Sequence, residues 1–112
     1  MNTKSTPREP RTAASPFLNP YRHEFVRVAA CVPPVAVAEP ERNAEQVGAM
    51  LVAGDAAQIG LMVFPELALS AYAIDDLLFQ TALLDAVERE VARLITASRD
   101  LMPVFAVGAP LR

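Results

Sequence analysis

Leu61-Met62-Val63-Phe64-Pro65-Glu66 is the stretch on which the fold turns. Four consecutive apolar residues halted by a proline are too short for a helix and suit an inner strand of a parallel sheet. Upstream, Pro40-Glu41-Arg42-Asn43 opens a helix. Pro40 fits the first turn, where its missing N–H would have no partner anyway, and Ala44, Val47 and Leu51 follow at spacings of three and four. Gly48 and Gly54 weaken this helix by propensity and point to close contact with a neighbour, and Gly60 is its expected C-terminal stop. Earlier still, residues 25–32 (FVRVAACV) read as a strand nearly buried on both faces, interrupted only by Arg27 and ended by Pro33 and Pro34. Downstream of a loop over residues 66–74, Asp75 and Asp76 are placed to cap a second helix. Leu77, Leu84, Val87, Val91 and Leu94 form one side of it. Asp85, Glu88, Arg89 and Arg93 lie mostly on the other, a solvated face with Asp85 and Arg89 at the i,i+4 spacing of an ion pair. Pro103 precedes a third strand, residues 104–107, closed by Gly108.

Apolar strands alternating with amphipathic helices are the pattern of an α/β fold with a parallel sheet and right-handed crossovers, here βαβαβ. Three strands alone leave both long edges open and one face poorly covered. The 112 residues therefore read as the beginning of a larger domain. Residues 1–19, with Pro7, Pro10 and Pro16 among Ser and Thr, read as a disordered leader, and residues 20–112 as the domain portion.

Composition narrows the function classes. With 53% hydrophobic and 21% charged residues, the chain is too apolar for disorder and high for a domain that covers its own surface. Ten Lys and Arg against thirteen Asp and Glu give a net charge of −3, without the basic stripe of a nucleic-acid binder. No run approaches the roughly 18 apolar residues of a membrane span, and the first twenty positions lack the apolar centre of a secretory signal. A cytoplasmic protein with neither membrane nor nucleic-acid partner is expected. The single cysteine, Cys31, excludes an internal disulfide and a Cys-rich metal site. The four glycines, at 48, 54, 60 and 108, are isolated and form no phosphate loop, so no cofactor is expected in this chain.

Glu66 is the candidate for chemistry. It follows a buried parallel strand at the C-terminal edge of the sheet, where open α/β sheets place their ligands. Flanked by Pro65 and Leu67, its carboxylate is positioned for partial desolvation, which moves a carboxyl toward the range of a general base. The plainer alternative is a carboxylate that binds backbone amides of the next loop.

Residues 64–72, FPELALSAY, resemble the first signature of the nitrilase, or carbon–nitrogen hydrolase, superfamily: a strand, then Pro-Glu, then a short segment ending in Gly-Tyr. YRHEFVRVAACVPPV (21–35), IDDLLFQTALLDAVE (74–88) and LMPVFAVGAPLR (101–112) are similar to the amino-terminal glutaminase domain of the long, two-domain bacterial glutamine-dependent NAD synthetases. The resemblance runs from about Pro20 to the end. It implies the first βαβαβ part of a four-layer α-β-β-α sandwich. It also implies a Glu–Lys–Cys triad, in which cysteine attacks the amide carbon, glutamate is the general base and lysine steadies the oxyanion. The parent activity would hydrolyse glutamine to glutamate and ammonia. A second domain would then use the ammonia, with ATP and Mg2+, to convert nicotinic acid adenine dinucleotide to NAD, in a homo-oligomer.

By this match Glu66 is the triad carboxylate, and the other two members are missing. The one lysine is Lys4, and the one cysteine, Cys31, lies upstream of Glu66 where the superfamily nucleophile lies downstream. Cys31 reads as a small buried hydrophobe. The chain by itself is therefore expected to be an inactive fragment. Tyr72 is placed either to rim the substrate pocket or to pack the loop onto the second helix. Ala71 stands where the signature has glycine and strains the loop if that position needs a positive φ. His23, the one histidine, reads as a surface or packing residue. Two alternatives to the synthetase remain: a stand-alone amidase of the same superfamily, and a non-catalytic truncated chain that docks on a partner.

Overall fold

The computed structural model describes residues 15–112, so positions 1–14 of the expected leader lie outside the described residues. Two single 3-10 turns, Pro16–Leu18 and Pro20–His23, lead into β1 (Val28–Ala30), α1 (Pro40–Ala56), β2 (Leu61–Val63), a third 3-10 turn (Asp75–Phe79), α2 (Thr81–Ala97) and β3 (Val104–Ala106). The strands lie side by side in the order β1-β2-β3, all parallel, with Val28 opposite Leu61 opposite Val104 and Ala30 opposite Val63 opposite Ala106. The expected βαβαβ order and parallel sheet are present.

A sheet that grows in one direction through right-handed crossovers carries both crossover helices on one face. Here α1 and α2 pack against each other over the same side of the sheet. The rows that face them are Ala29, Met62 and Phe105, then Cys31, Phe64 and Val107, which meet Val47, Leu51, Val87 and Leu94. Phe64 and Phe105 touch edge to face, ring centroids 6.5 Å apart. The opposite rows, Val28-Leu61-Val104 and Ala30-Val63-Ala106, have nothing over them among the described residues. Val28 is 62% and Val104 69% exposed. The expectation of strands buried on both faces is thus half met. The inward positions are core, but in this chain the outward ones form a bare apolar surface.

Helix ends depart from the sequence reading for local reasons. Helix α1 does not run to Gly60. Gln58 adopts a left-handed conformation (φ 55°), its N–H bonds to the Asp55 carbonyl and that of Ile59 to the Gly54 carbonyl. This is a Schellman stop with glutamine in the place that glycine usually takes. Gly60 instead sits at the start of β2, donating to Arg27 O and accepting from Val104 N. A Cβ there would lie 2.8 Å from a Val26 methyl. At Gly54 an added Cβ would collide with Met62 Sδ, the close contact its sequence position suggested.

Helix α2 begins at Thr81, not at Asp75 or Asp76. The two aspartates open the 3-10 turn, and an extended Gln80 (ψ 115°) separates that turn from the helix. The buried face of α2 is Leu83, Val87, Glu90 and Leu94, while Leu77, Leu84 and Val91 are half-buried at its margin. Asp85 pairs with Arg112 instead of Arg89 (Arg112 also lies 3.7 Å from Glu88) because the C-terminal segment returns alongside this helix.

Candidate functional site

The site grows out of the end of β2. Phe64 donates to Ala106 O, but Pro65 has no N–H to continue the ladder, so the chain leaves the sheet at Glu66. It then folds into a tight turn. Leu67 takes a left-handed conformation (φ 54°), and its carbonyl accepts from Ser70 N at 3.1 Å and Ala71 N at 2.8 Å. Ala68, Leu69, Ser70 and Ala71 are all buried. The Ser70 hydroxyl donates to Ala71 O, and Ser70 O accepts from Ala38 N at 2.9 Å. The loop is tied on one side to the end of β3 and on the other to the first turn of α1. Leu69 N donates to Gly108 O, just beyond β3, and Leu69 O accepts from Asn43 Nδ2.

Ala71 has φ 69°, so the position does require the left-handed backbone that glycine adopts without cost. Alanine is accommodated there with strain.

Within this buried loop Glu66 and Tyr72 face outward. Glu66 is exposed, and its carboxylate makes no hydrogen bond to any other described residue. Two sequence readings are corrected here: the carboxylate is not desolvated within this chain, and it does not cap backbone amides of the next loop. Tyr72 is 76% exposed, which sets aside a packing role against α2 in this chain.

Cys31 lies elsewhere. It is 5% exposed, belongs to the core under the helices, and its N–H continues the β1 ladder to Val63 O. Burial pushes its thiol above the ordinary value, against a smaller opposing effect from the Val63 backbone. A protonated, enclosed thiol is the reverse of an activated nucleophile. Lys4 lies outside the described residues. His23 is exposed, Nε2 2.9 Å from Phe17 O and its ring edge-on to the Phe17 ring at 5.4 Å. Asp75 and Asp76 form no site: among the described residues, no three His, Cys, Asp or Glu side chains gather as metal ligands. An open hollow of about 570 Å³ above the first turn of α1 is lined by Glu39, Glu41, Arg42 and Glu45 with smaller neighbours, and does not include Glu66. Reading the sequence missed Asn43 and Gly108 as parts of the site. The available signals were an amide inside an amphipathic helix face and a glycine immediately after a strand.

No protein-family model matches the chain. Curated proteins do. Over 96 residues, 86% of this chain, it is 50% identical to the glutamine-dependent NAD(+) synthetases of Mycobacterium tuberculosis (strain ATCC 25618 / H37Rv) and Mycobacterium bovis. It is 45% identical over the same length to that of Mycobacterium leprae. The similarity lies in the amino-terminal region of those proteins, and the chain spans 14% of their length.

Proposed function

We propose that Glu66 is the general base of a glutamine-hydrolysing site, and that this chain is the amino-terminal part of the glutaminase domain of a glutamine-dependent NAD synthetase. The observation that carries the reading is the position of Glu66. It is an exposed carboxylate on a buried, multiply tied loop at the C-terminal edge of a parallel sheet, within a segment half identical to synthetases of that name. The bare apolar rows of the sheet support the nitrilase-type sandwich, in which a second sheet covers that face.

In this reading the base takes the proton of a cysteine thiol as it attacks the glutamine carboxamide, and returns it to the leaving ammonia. The thiolate and the positive charge facing the oxyanion come from outside these residues, since Cys31 is enclosed in the core. Desolvation of Glu66, absent in this chain, would come from the same missing parts.

The test is a chimera in which this chain replaces the matched segment of the Mycobacterium tuberculosis synthetase. The chimera should make NAD from glutamine or from added ammonia, and Glu66→Gln should abolish the glutamine-driven reaction while sparing the ammonia-driven one. Loss of both, or of neither, would refute the assignment. The 112-residue chain alone should release no ammonia from glutamine above the level of its Glu66→Gln variant.

A further inference from the structure

The segment that carries Glu66 is held from two sides. On one, Gly108 runs so close that a Cβ added to it would stand 2.6 Å from Glu66 Cα, Leu67 N and Pro65 O. All three are backbone atoms, so no side chain can swing aside to admit a methyl. No described glycine has a positive φ, which means that space alone, not conformational freedom, calls for glycine here. On the other side stands Asn43, 1% exposed in the first turn of α1. Its Oδ1 accepts from Ala36 N at 2.7 Å, and its Nδ2 donates to Ala36 O at 2.8 Å and to Leu69 O at 3.1 Å. Leu69 is therefore gripped at both polar atoms, its N–H by Gly108 O at 3.3 Å and its carbonyl by Asn43.

We propose that Gly108 and Asn43 are positioning residues that set where the Glu66 carboxylate stands at the sheet edge. The proposal rests on the reading of Glu66 as general base. A base acts only within hydrogen-bond reach of the proton it takes, and a displacement of about 1 Å costs about 100-fold in rate. A methyl at position 108 demands a shift of that order, because carbon atoms pack at about 3.5–4.0 Å and the gap to Glu66 Cα is 2.6 Å. Asn43→Asp keeps the acceptor for Ala36 N–H and loses both donations, to Ala36 O and to Leu69 O, so it loosens the Asn43 side and leaves the Gly108 contact in place.

Gly108→Ala and Asn43→Asp are made in the chimera, with Glu66→Gln alongside. In the 112-residue chain itself, both should speed exchange of the Leu69 amide proton relative to that of Val87 in the α2 core. In the chimera, the glutamine-driven kcat should fall about 100-fold for Gly108→Ala and about tenfold or more for Asn43→Asp, which loses two hydrogen bonds. The KM for glutamine and the ammonia-driven rate should hold in both. Unchanged kcat in both variants, or a change confined to KM, overturns the proposal. If Gly108→Ala also loses the ammonia-driven rate it has unfolded, and Asn43→Asp decides alone. A Glu66→Gln chimera that still uses glutamine removes the role of Glu66, and the proposal falls with it whatever Gly108 does.

Discussion

Both carboxylate oxygens of Glu90 stand 3.0 Å from one guanidinium nitrogen of Arg93, although the Glu90 side chain is 4% exposed and that of Arg93 65%. Glu90 occupies the row of Leu83, Val87 and Leu94, the face that α2 turns toward α1, and its counter-charge sits at the rim. A carboxylate so placed is tolerable while the pair lasts and costly once it is orphaned. Arg93→Ala should therefore destabilise the chain by about 1–3 kcal/mol, whereas Glu90→Leu, which fills the same space without a charge, should be neutral or stabilising. Urea midpoints of the two variants check this. Equal losses from both would mean that the carboxylate itself binds the helices together.

Ala71 supplies a second prediction. At φ 69° its Cβ crowds the following carbonyl, a cost of about 1–2 kcal/mol for an L-residue. Part of the gain on replacement returns as extra freedom in the unfolded chain. Ala71→Gly should accordingly raise stability by about 1 kcal/mol in thermal or urea unfolding. A loss of stability would show that the buried methyl contributes more packing than the backbone costs.

What the sequence disclosed and what it hid divide along the range of the interactions. The strand order and α1 were legible because Leu61, Met62, Val63 and Phe64 are bounded by Gly60 and Pro65, and because Ala44, Val47 and Leu51 keep helical spacing. The stop of α1 at Gln58 was not, since a left-handed glutamine succeeds only with the bonds of Ile59 and Gln58 back into the last turn. The burial of Glu90 was hidden by its charge and by a helix cap read four or five residues too early, at Asp75 or Asp76 instead of Gln80. Glu66 was singled out from its place after a strand, a position the structure gives it. Asn43 and Gly108 act on it only after the chain has brought residues 26 and 42 positions away to the same loop, so an amide on a helix face and a glycine after a strand were their only local marks.

The bare sheet face gives a third expectation. Val28, Val63 and Val104 are 62%, 47% and 69% exposed on rows made entirely of apolar residues. Contiguous apolar surface of this kind drives self-association in the free chain. Val104→Lys should leave the unfolding midpoint within about 0.5 kcal/mol of the parent. It should also lower the binding of a hydrophobic dye and delay aggregation on concentration. The same change inward, Met62→Lys, should abolish folding, because Met62 is 3% exposed beneath α1. Indistinguishable behaviour of the two variants would mean that the sheet is not covered on one side only.

Cys31 sets the direction of a pH effect. Burial holds its thiol above the ordinary value of 9.0, so the folded chain keeps this proton at a pH where the unfolded chain has begun to release it. Stability therefore falls as pH rises through the unfolded value toward the folded one, and is fully retained below the unfolded value. The slope for one group cannot exceed about 1.4 kcal/mol per pH unit. Urea midpoints taken from pH 7 to 10.5 should decline above about pH 8.5–9, near the free thiol pKa. Cys31→Ala, less stable overall for its lost packing, should decline less over the same interval. Every other titrating group is common to both proteins, so the difference between the two curves isolates the thiol. A constant difference would show that Cys31 ionises as readily folded as unfolded, and would return it to consideration as a reactive group.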